Sequence, residues 1–300
     1  MFRGAAAPGC GLMWTLAEQP RAPVGDFAPA WASAWGDDSS GLWAELAVAG
    51  FSQRLRWIEP GRFLMGSTGD ERRTLKDKNL RDWADRNEAP QHLVTLSQGF
   101  WLADTPCTQG LWLALMGGKN PSQFADGDGA ALRPVERVDW DQAVAFLNAL
   151  RSRLPGADPM LPSDAQWEYA CRAGSTTAYA WGDDADKRLA NMDGAARQTT
   201  PVKQYPPNAW GLYDMHGNVW EWCADGLRDF GDGPEVNPTG GDAGDTRVRR
   251  GGSWLNPAGY ARSAFRYDDH RGFHWHDSGF RFALRSPSPG GVAAGRQAGV

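Results

Sequence analysis

Gly211-Leu212-Tyr213-Asp214-Met215-His216-Gly217-Asn218-Val219-Trp220-Glu221-Trp222 sets three acid or amide side chains (Asp214, Asn218, Glu221) among three aromatics (Tyr213, Trp220, Trp222) and two glycines (Gly211, Gly217). Carboxylate and amide oxygens, joined by loop carbonyls that glycine frees, form the donor set of a hard cation such as calcium. A hydrogen-bonded turn between two buried tryptophans uses the same residues equally well.

Downstream, Val248-Arg249-Arg250 enters a strand that runs into Gly251-Gly252-Ser253-Trp254, and Phe280-Arg281-Phe282-Ala283-Leu284 alternates as a closing strand. GLYDMHGNVWEW, Arg250-Gly251-Gly252-Ser253-Trp254 and Gly279-Phe280-Arg281 together resemble the formylglycine-generating-enzyme type of domain, from about Leu55 to Arg285. That resemblance implies an α+β architecture, a variant of the C-type lectin fold with short strands, helices and much irregular loop. It also implies a structural calcium site at Asp214, Glu221 and the carbonyls of Gly217 and Val219. A second site would use Asn191 and Met192, but its remaining ligands have no counterpart in the short segment that follows.

The enzymes of that family oxidise a cysteine with copper held by two cysteines just after the GGS-aromatic motif. Here the corresponding residues, 252–260, read Gly-Ser-Trp-Leu-Asn-Pro-Ala-Gly-Tyr, and no cysteine follows Cys223. Copper(I) needs soft sulfur ligands, so no copper and no oxidase chemistry are expected. The related iron-dependent sulfoxide synthases keep their histidine ligands largely in a separate helical domain, and no segment of this sequence reads as one.

A net charge of −5 argues against nucleic acid as a partner, because such proteins normally carry a basic stripe. No run approaches the roughly 18 apolar residues of a membrane span. Pro and Gly interrupt the N-terminal apolar residues, so no secretory signal is expected. Cys10, Cys107, Cys171 and Cys223 lack metal-knuckle spacing and read as free thiols, which points to a cytoplasmic protein, taken to be a monomer.

The chain divides into a loosely ordered lead-in (1–40), one domain (41–285) and a disordered tail (286–300). Trp31, Trp35 and Trp43 have helical spacing and predict one short docked helix. Strands are expected at 54–58 and 62–66 about a Glu59-Pro60-Gly61 turn, and at 92–96 and 100–103 about Gly99. The charged stretch 67–90 reads as a solvated loop. Three helices have clear caps: Thr108 before Gln109, Asp139 before Trp140, and Ser163 before Asp164, the last two with glutamine at the reciprocal capping position. His92 and the Glu168-Tyr169 pair read as structural. Residues 174–208 carry turn residues and little pattern, as ligand-stabilised segments do.

Residues 255–278 hold aromatics, histidines, aspartates and small residues, with no Lys, Glu, Gln or Met. Rigid aromatics and short polar groups are what adaptable binding surfaces use. GGSW, Arg262-Ser263-Ala264, Arg266 and GFR resemble the frame of retroelement-diversified variable proteins, in which adenine-directed mutagenesis rewrites Asn codons. An AAC codon altered at its adenines cannot yield Lys, Glu, Gln, Met or Trp. Those types make up 48 of the 300 residues, yet only Trp275 occurs among these 24.

The leading expectation is a non-catalytic protein that offers Leu255, Asn256, Pro257, Gly259, Tyr260, Phe265, Tyr267, Asp268, Asp269, His270, Phe273, His274, Trp275, His276 and Asp277 to a protein or other macromolecular ligand. Of these, Tyr260, Phe265, Tyr267, Phe273, His274 and Trp275 should be largely exposed on one face, with Trp254 and Phe280 buried as frame. The alternative is a metal-dependent oxidoreductase whose ion sits at His270, His274 and His276, with aspartates nearby, or whose chemistry sits at Cys223.

Overall fold

The computed structural model describes residues 29–240 and 244–285. The first 28 residues of the expected lead-in, Cys10 and the expected tail at 286–300 lie outside the described residues. Along the chain come β1 (Ala34–Asp38), β2 (Gly41–Val48), β3 (Phe51–Ile58), β4 (Gly61–Met65), α1 (Gly69–Thr74), α2 (Lys78–Asn87), β5 (His92–Leu96) and β6 (Phe100–Ala103). Then follow α3 (Gln109–Met116), α4 (Trp140–Arg153), β7 (Pro159–Met160), α5 (Asp164–Arg172), β8 (Trp220–Trp222) and β9 (Glu235–Val236). The last are β10 (Thr246–Arg250), β11 (Arg266–His270), β12 (Ser278–Gly279) and β13 (Ala283–Arg285).

Three sheets result, with orders β1-β2-β3-β6-β13-β7, β11-β10-β8-β12 and β4-β5-β9. The turns at 59–61 and 97–99 do not make the hairpins that the sequence implied. Instead the chain changes sheet at each: β3 pairs with β6, and β4 with β5. The large sheet is buried on both sides at β6. Trp101 and Ala103 face α3 and α4 together with Phe146, Phe280 and Phe282, whereas Phe100 and Leu102 face α5 and Trp167. Period-two alternation thus turns one strand into the wall between two cores.

The three predicted caps are in place. Thr108 accepts from the Leu111 amide, and Asp139 and Ser163 form full capping boxes with Gln142 and Gln166. Two further expectations fail. Trp35 and Trp43 lie on the β1–β2 hairpin rather than on a helix: with only three tryptophans to set the period, their spacing of four and eight fits alternating strands as well. The charged stretch 67–90 contains α1 and α2, capped by Thr68 and Asp77, and α2 turns Leu80 and Ala84 inward. No helix among the described residues is long and apolar enough to cross a membrane.

Candidate functional site

The opening stretch lies directly beneath the C-terminal surface. The Gly217 amide donates to the Gly251 carbonyl, the Trp254 amide to the Asn218 carbonyl, and the Trp220 amide to the Asp277 carbonyl. Gly217 has a φ of +84°, and a Cβ there would meet the Asn191 carbonyl oxygen at 2.2 Å, so glycine is required. Gly252 has a φ of +67° and would press a Cβ on the Tyr260 carbonyl.

Buried arginines fix the frame. Arg250 bonds Asp164 and Glu168 and donates to the carbonyls of Ser263 and Phe265. Arg262 grips Glu88 and Glu71, Arg266 pairs with Asp164, and Arg281 holds both oxygens of Glu221 at 2.6 and 2.7 Å. Desolvated carboxylates of this kind need such partners. Glu168 also accepts from the Gly66 amide, and His92 lies 3.2 Å from Glu235, so both are built into the frame.

On this frame sits a cleft of about 250 Å³, lined by Trp220, Arg249, Asn256, Tyr260, Tyr267, Phe273, Trp275 and Asp277. Six of these eight come from the predicted segment. Asn256 accepts from the Trp220 indole, which fixes one end, and competes with Asp277 for the single Ser253 hydroxyl proton. Arg249 forms the floor, paired with Asp269, bonded to Ser278 and stacked 4.7 Å from the Phe273 centroid and 5.2 Å from that of Trp220. Leu255, Pro257, His270, His274 and Trp275 are exposed around the cleft, Trp275 at 54%.

Other predicted residues are less exposed than expected. Phe265 is fully buried against Leu75, Leu80, Ala84 and Trp220, so the expectation of its exposure is wrong. α2, taken for loop, covers it. Tyr260, Tyr267 and Phe273 are half-buried rather than largely exposed, because they form the cleft walls and Trp83 of α2 packs on Tyr267. Gly259 lies against Leu80, where a Cβ would approach to 2.5 Å. Asp277 is 5% exposed. Asp268 pairs across the strands with Val248, opposite in pleat to Tyr267 and Asp269.

The histidines diverge. His270 accepts from the Gly272 amide, His274 contacts the Gly272 carbonyl, and His276 packs between Phe124 and Trp254. Residues 273–277 form loop, not the strand that would have aligned His274 with His276. No three His, Cys, Asp or Glu side chains among the described residues gather as a metal-binding group. Cys107, Cys171 and Cys223 are free and buried, and burial pushes the Cys223 thiol well above its usual pKa, which disfavours the thiolate a nucleophile needs.

The two carboxylates of the expected calcium site differ in their surroundings. Asp214 is buried, accepts from the Lys203 amide and the Asn218 side chain, and is pushed up to about 6 by desolvation. A bound cation would offset that cost, so Asp214 fits the role. Glu221 is committed to Arg281 and the Trp167 indole. Asn191, expected at a second site, is buried with its amide on the Gln198 carbonyl.

The model of the sulfatase-modifying factor enzyme 1-like domain matches residues 51–286. This chain belongs to that family. The formylglycine-generating enzyme of Streptomyces coelicolor is 34% identical over 194 residues, covering 57% of this chain and 58% of that protein. The serine/threonine-protein kinase Pkn1 of Chlamydia trachomatis is 32% identical over 253 residues, 76% of this chain and 37% of its own length. The chain thus spans less than two thirds of these curated relatives. Among solved structures, Treponema denticola variable protein 1 superposes with a TM-score of 0.68 at 28% identity, covering 81% of this chain and 99% of that one. PvdO of Pseudomonas aeruginosa gives 0.62 at 26%, covering 85% and 99%. The family therefore has here the α+β, C-type-lectin-like fold that the three motifs implied, and its likeness extends to a variable protein.

Sequence reasoning missed Trp220 and Arg249 as cleft residues, because both precede the compositionally odd segment. The alternation of β10, which buries Val248 and Arg250 on one side, already placed Arg249 on the other.

Proposed function

We propose that this protein is a non-catalytic binding protein that offers the cleft and its rim, residues 255–277, to a macromolecular partner, foremost another protein. The observation that carries the reading is the sorting of one segment into a buried frame and an aromatic cleft. Arg262, Phe265 and Arg266 are tied below, while Tyr260, Tyr267, Phe273 and Trp275 gather above. Aromatics left accessible together mark interaction sites. The likeness to a variable protein and the lack of cysteine after Cys223 support the same reading. Calcium is proposed as a structural ion, held by Asp214 and the carbonyls of Gly217 and Val219, with Glu221 alongside. It would supply charge compensation under the cleft.

The test is to sequence this gene across many cells of its source population. Substitutions concentrated at cleft and rim codons, with Arg262, Phe265, Arg266 and Arg281 constant, are the expected result. Equal variation across segment and frame, or none, overturns the variable-surface reading.

A further inference from the structure

We propose that the cleft takes a cationic side chain of the partner, a lysine or arginine, with the Asp277 carboxylate as its counter-charge and the surrounding rings as its walls. The inference rests on the reading of the cleft as the binding surface.

The Asp277 carboxylate accepts from the Ser253 hydroxyl at 2.9 Å and meets the Ser278 hydroxyl at 3.5 Å, and among the described residues it has no ion-pair partner. A buried carboxylate held by hydroxyls, with Arg249 acting on it only from beyond ion-pair distance through Ser278, is an arrangement that an incoming cation relieves. The other charges at the cleft nearly cancel: the Arg249 guanidinium is taken by Asp269. Behind Asp277, burial pushes Glu136 up to about 7, and the Asp277 charge contributes to that rise. The negative charge at Asp277 is therefore the one left to be met.

The walls select in the same sense. Trp220, Tyr260, Tyr267, Phe273 and Trp275 surround the space, and aromatic faces attract cations within about 6 Å of the ring centroid. Arg249 already shows that preference from below, within reach of four rings. A carboxylate entering the cleft would meet Asp277, and an aliphatic group would seal Asp277 in without a counter-charge. At about 250 Å³ the cleft is smaller than the roughly 300–1,000 Å³ of drug-sized pockets and suits one long side chain. The hollow of about 330 Å³ beside β5 and β6 makes a poorer candidate, since its charged residue, Arg285, is already paired with Asp158.

The experiment selects peptides from a random displayed library on the full chain, then measures the winners against Trp275→Ala and Asp277→Asn. Trp275-dependent peptides rich in Lys or Arg, weakened about tenfold or more by Asp277→Asn, are expected. Replacing the lysine of a selected peptide by norleucine tests the same contact without touching the protein, should Asp277→Asn fail to fold. Trp275-dependent peptides without basic enrichment, or indifferent to norleucine, overturn the cationic assignment and leave the binding cleft standing. If no selected peptide depends on Trp275, both readings fall.

Discussion

Phe265 and Trp275 lie ten residues apart in one stretch of nearly uniform composition, yet the first is fully buried and the second is 54% exposed. The same division runs through the charges. Arg262 and Arg266 point inward to carboxylates on α1, α5 and the end of α2, while Arg271 reaches outward to Asp141. Residue type does not separate the two groups. What separates them is position on the frame: Phe265 lies under Leu80 and Ala84 of α2, whereas Trp275 lies in the exposed part of the 273–277 loop. A surface can then change in chemistry while its support does not, provided each changed side chain lies on the outer side.

The largest contrast should come from the arginines. Arg250→Ala leaves Asp164 and Glu168 buried without their shared partner, and breaking one buried pair typically costs about 3–5 kcal/mol. Thermal unfolding followed by circular dichroism should show loss of the cooperative transition. A melting point near that of the parent would mean that the frame does not depend on this cation. Phe265→Ala should cost about 3–5 kcal/mol as a large buried aromatic truncated to a cavity. If it melts like the parent, Phe265 belongs with the surface after all.

Chelation comes next. An ion bound only by the native state adds about 2.7 kcal/mol at a hundredfold over its dissociation constant. A melting point that falls with chelator and recovers with calcium is expected, and Asp214→Ala should remove the response. A chelator-indifferent protein free of metal by elemental analysis would count against the site.

Glu136 gives a smaller, pH-dependent effect. Burial raises it from 4.5 to about 7, so the folded state favours the protonated acid. That contribution is whole below about pH 4.5 and is lost as pH rises through about 7. Glu136→Gln should therefore lose less stability than the parent between about pH 5 and pH 8, as denaturant titrations at the two pH values would show. Equal losses would mean that another group carries the dependence. Smallest of all, Trp275→Ala and His274→Ala should shift stability by within about 0.5 kcal/mol, the usual range for exposed positions. A shift of several kcal/mol would place them in the frame.

Motif order made the fold class readable before any coordinate. Capping chemistry located α3, α4 and α5, because Thr108, Asp139 and Ser163 signal helix starts locally. The sheet partners were not readable. Glu59-Pro60-Gly61 announces a turn but not whether the next strand stays in its sheet, and that is decided by contacts distant in sequence. The charges of 67–90 masked α1, which buries no residue, and α2, which buries only Leu80 and Ala84. This one omission explains the error at Phe265, since Leu80 and Ala84 of α2 are what cover it. Asp277 was identified by composition as a contact residue, but its burial beside Ser253 depends on the third dimension alone.

β13 bears on how each version of such a surface would be made. It enters the large sheet between β6 and β7: residues 283–285 pair with Phe100–Leu102, and 283–284 with Pro159–Met160. Until it arrives, both neighbouring edges lack a partner, and exposed edges invite pairing with other chains. On the ribosome, β6 is made long before β13, and pairings so distant in sequence form slowly. Residues 255–278 are synthesised inside that interval. A substitution that misfolds the segment would therefore delay closure of the large sheet as well, and leave the β6 and β7 edges open for longer.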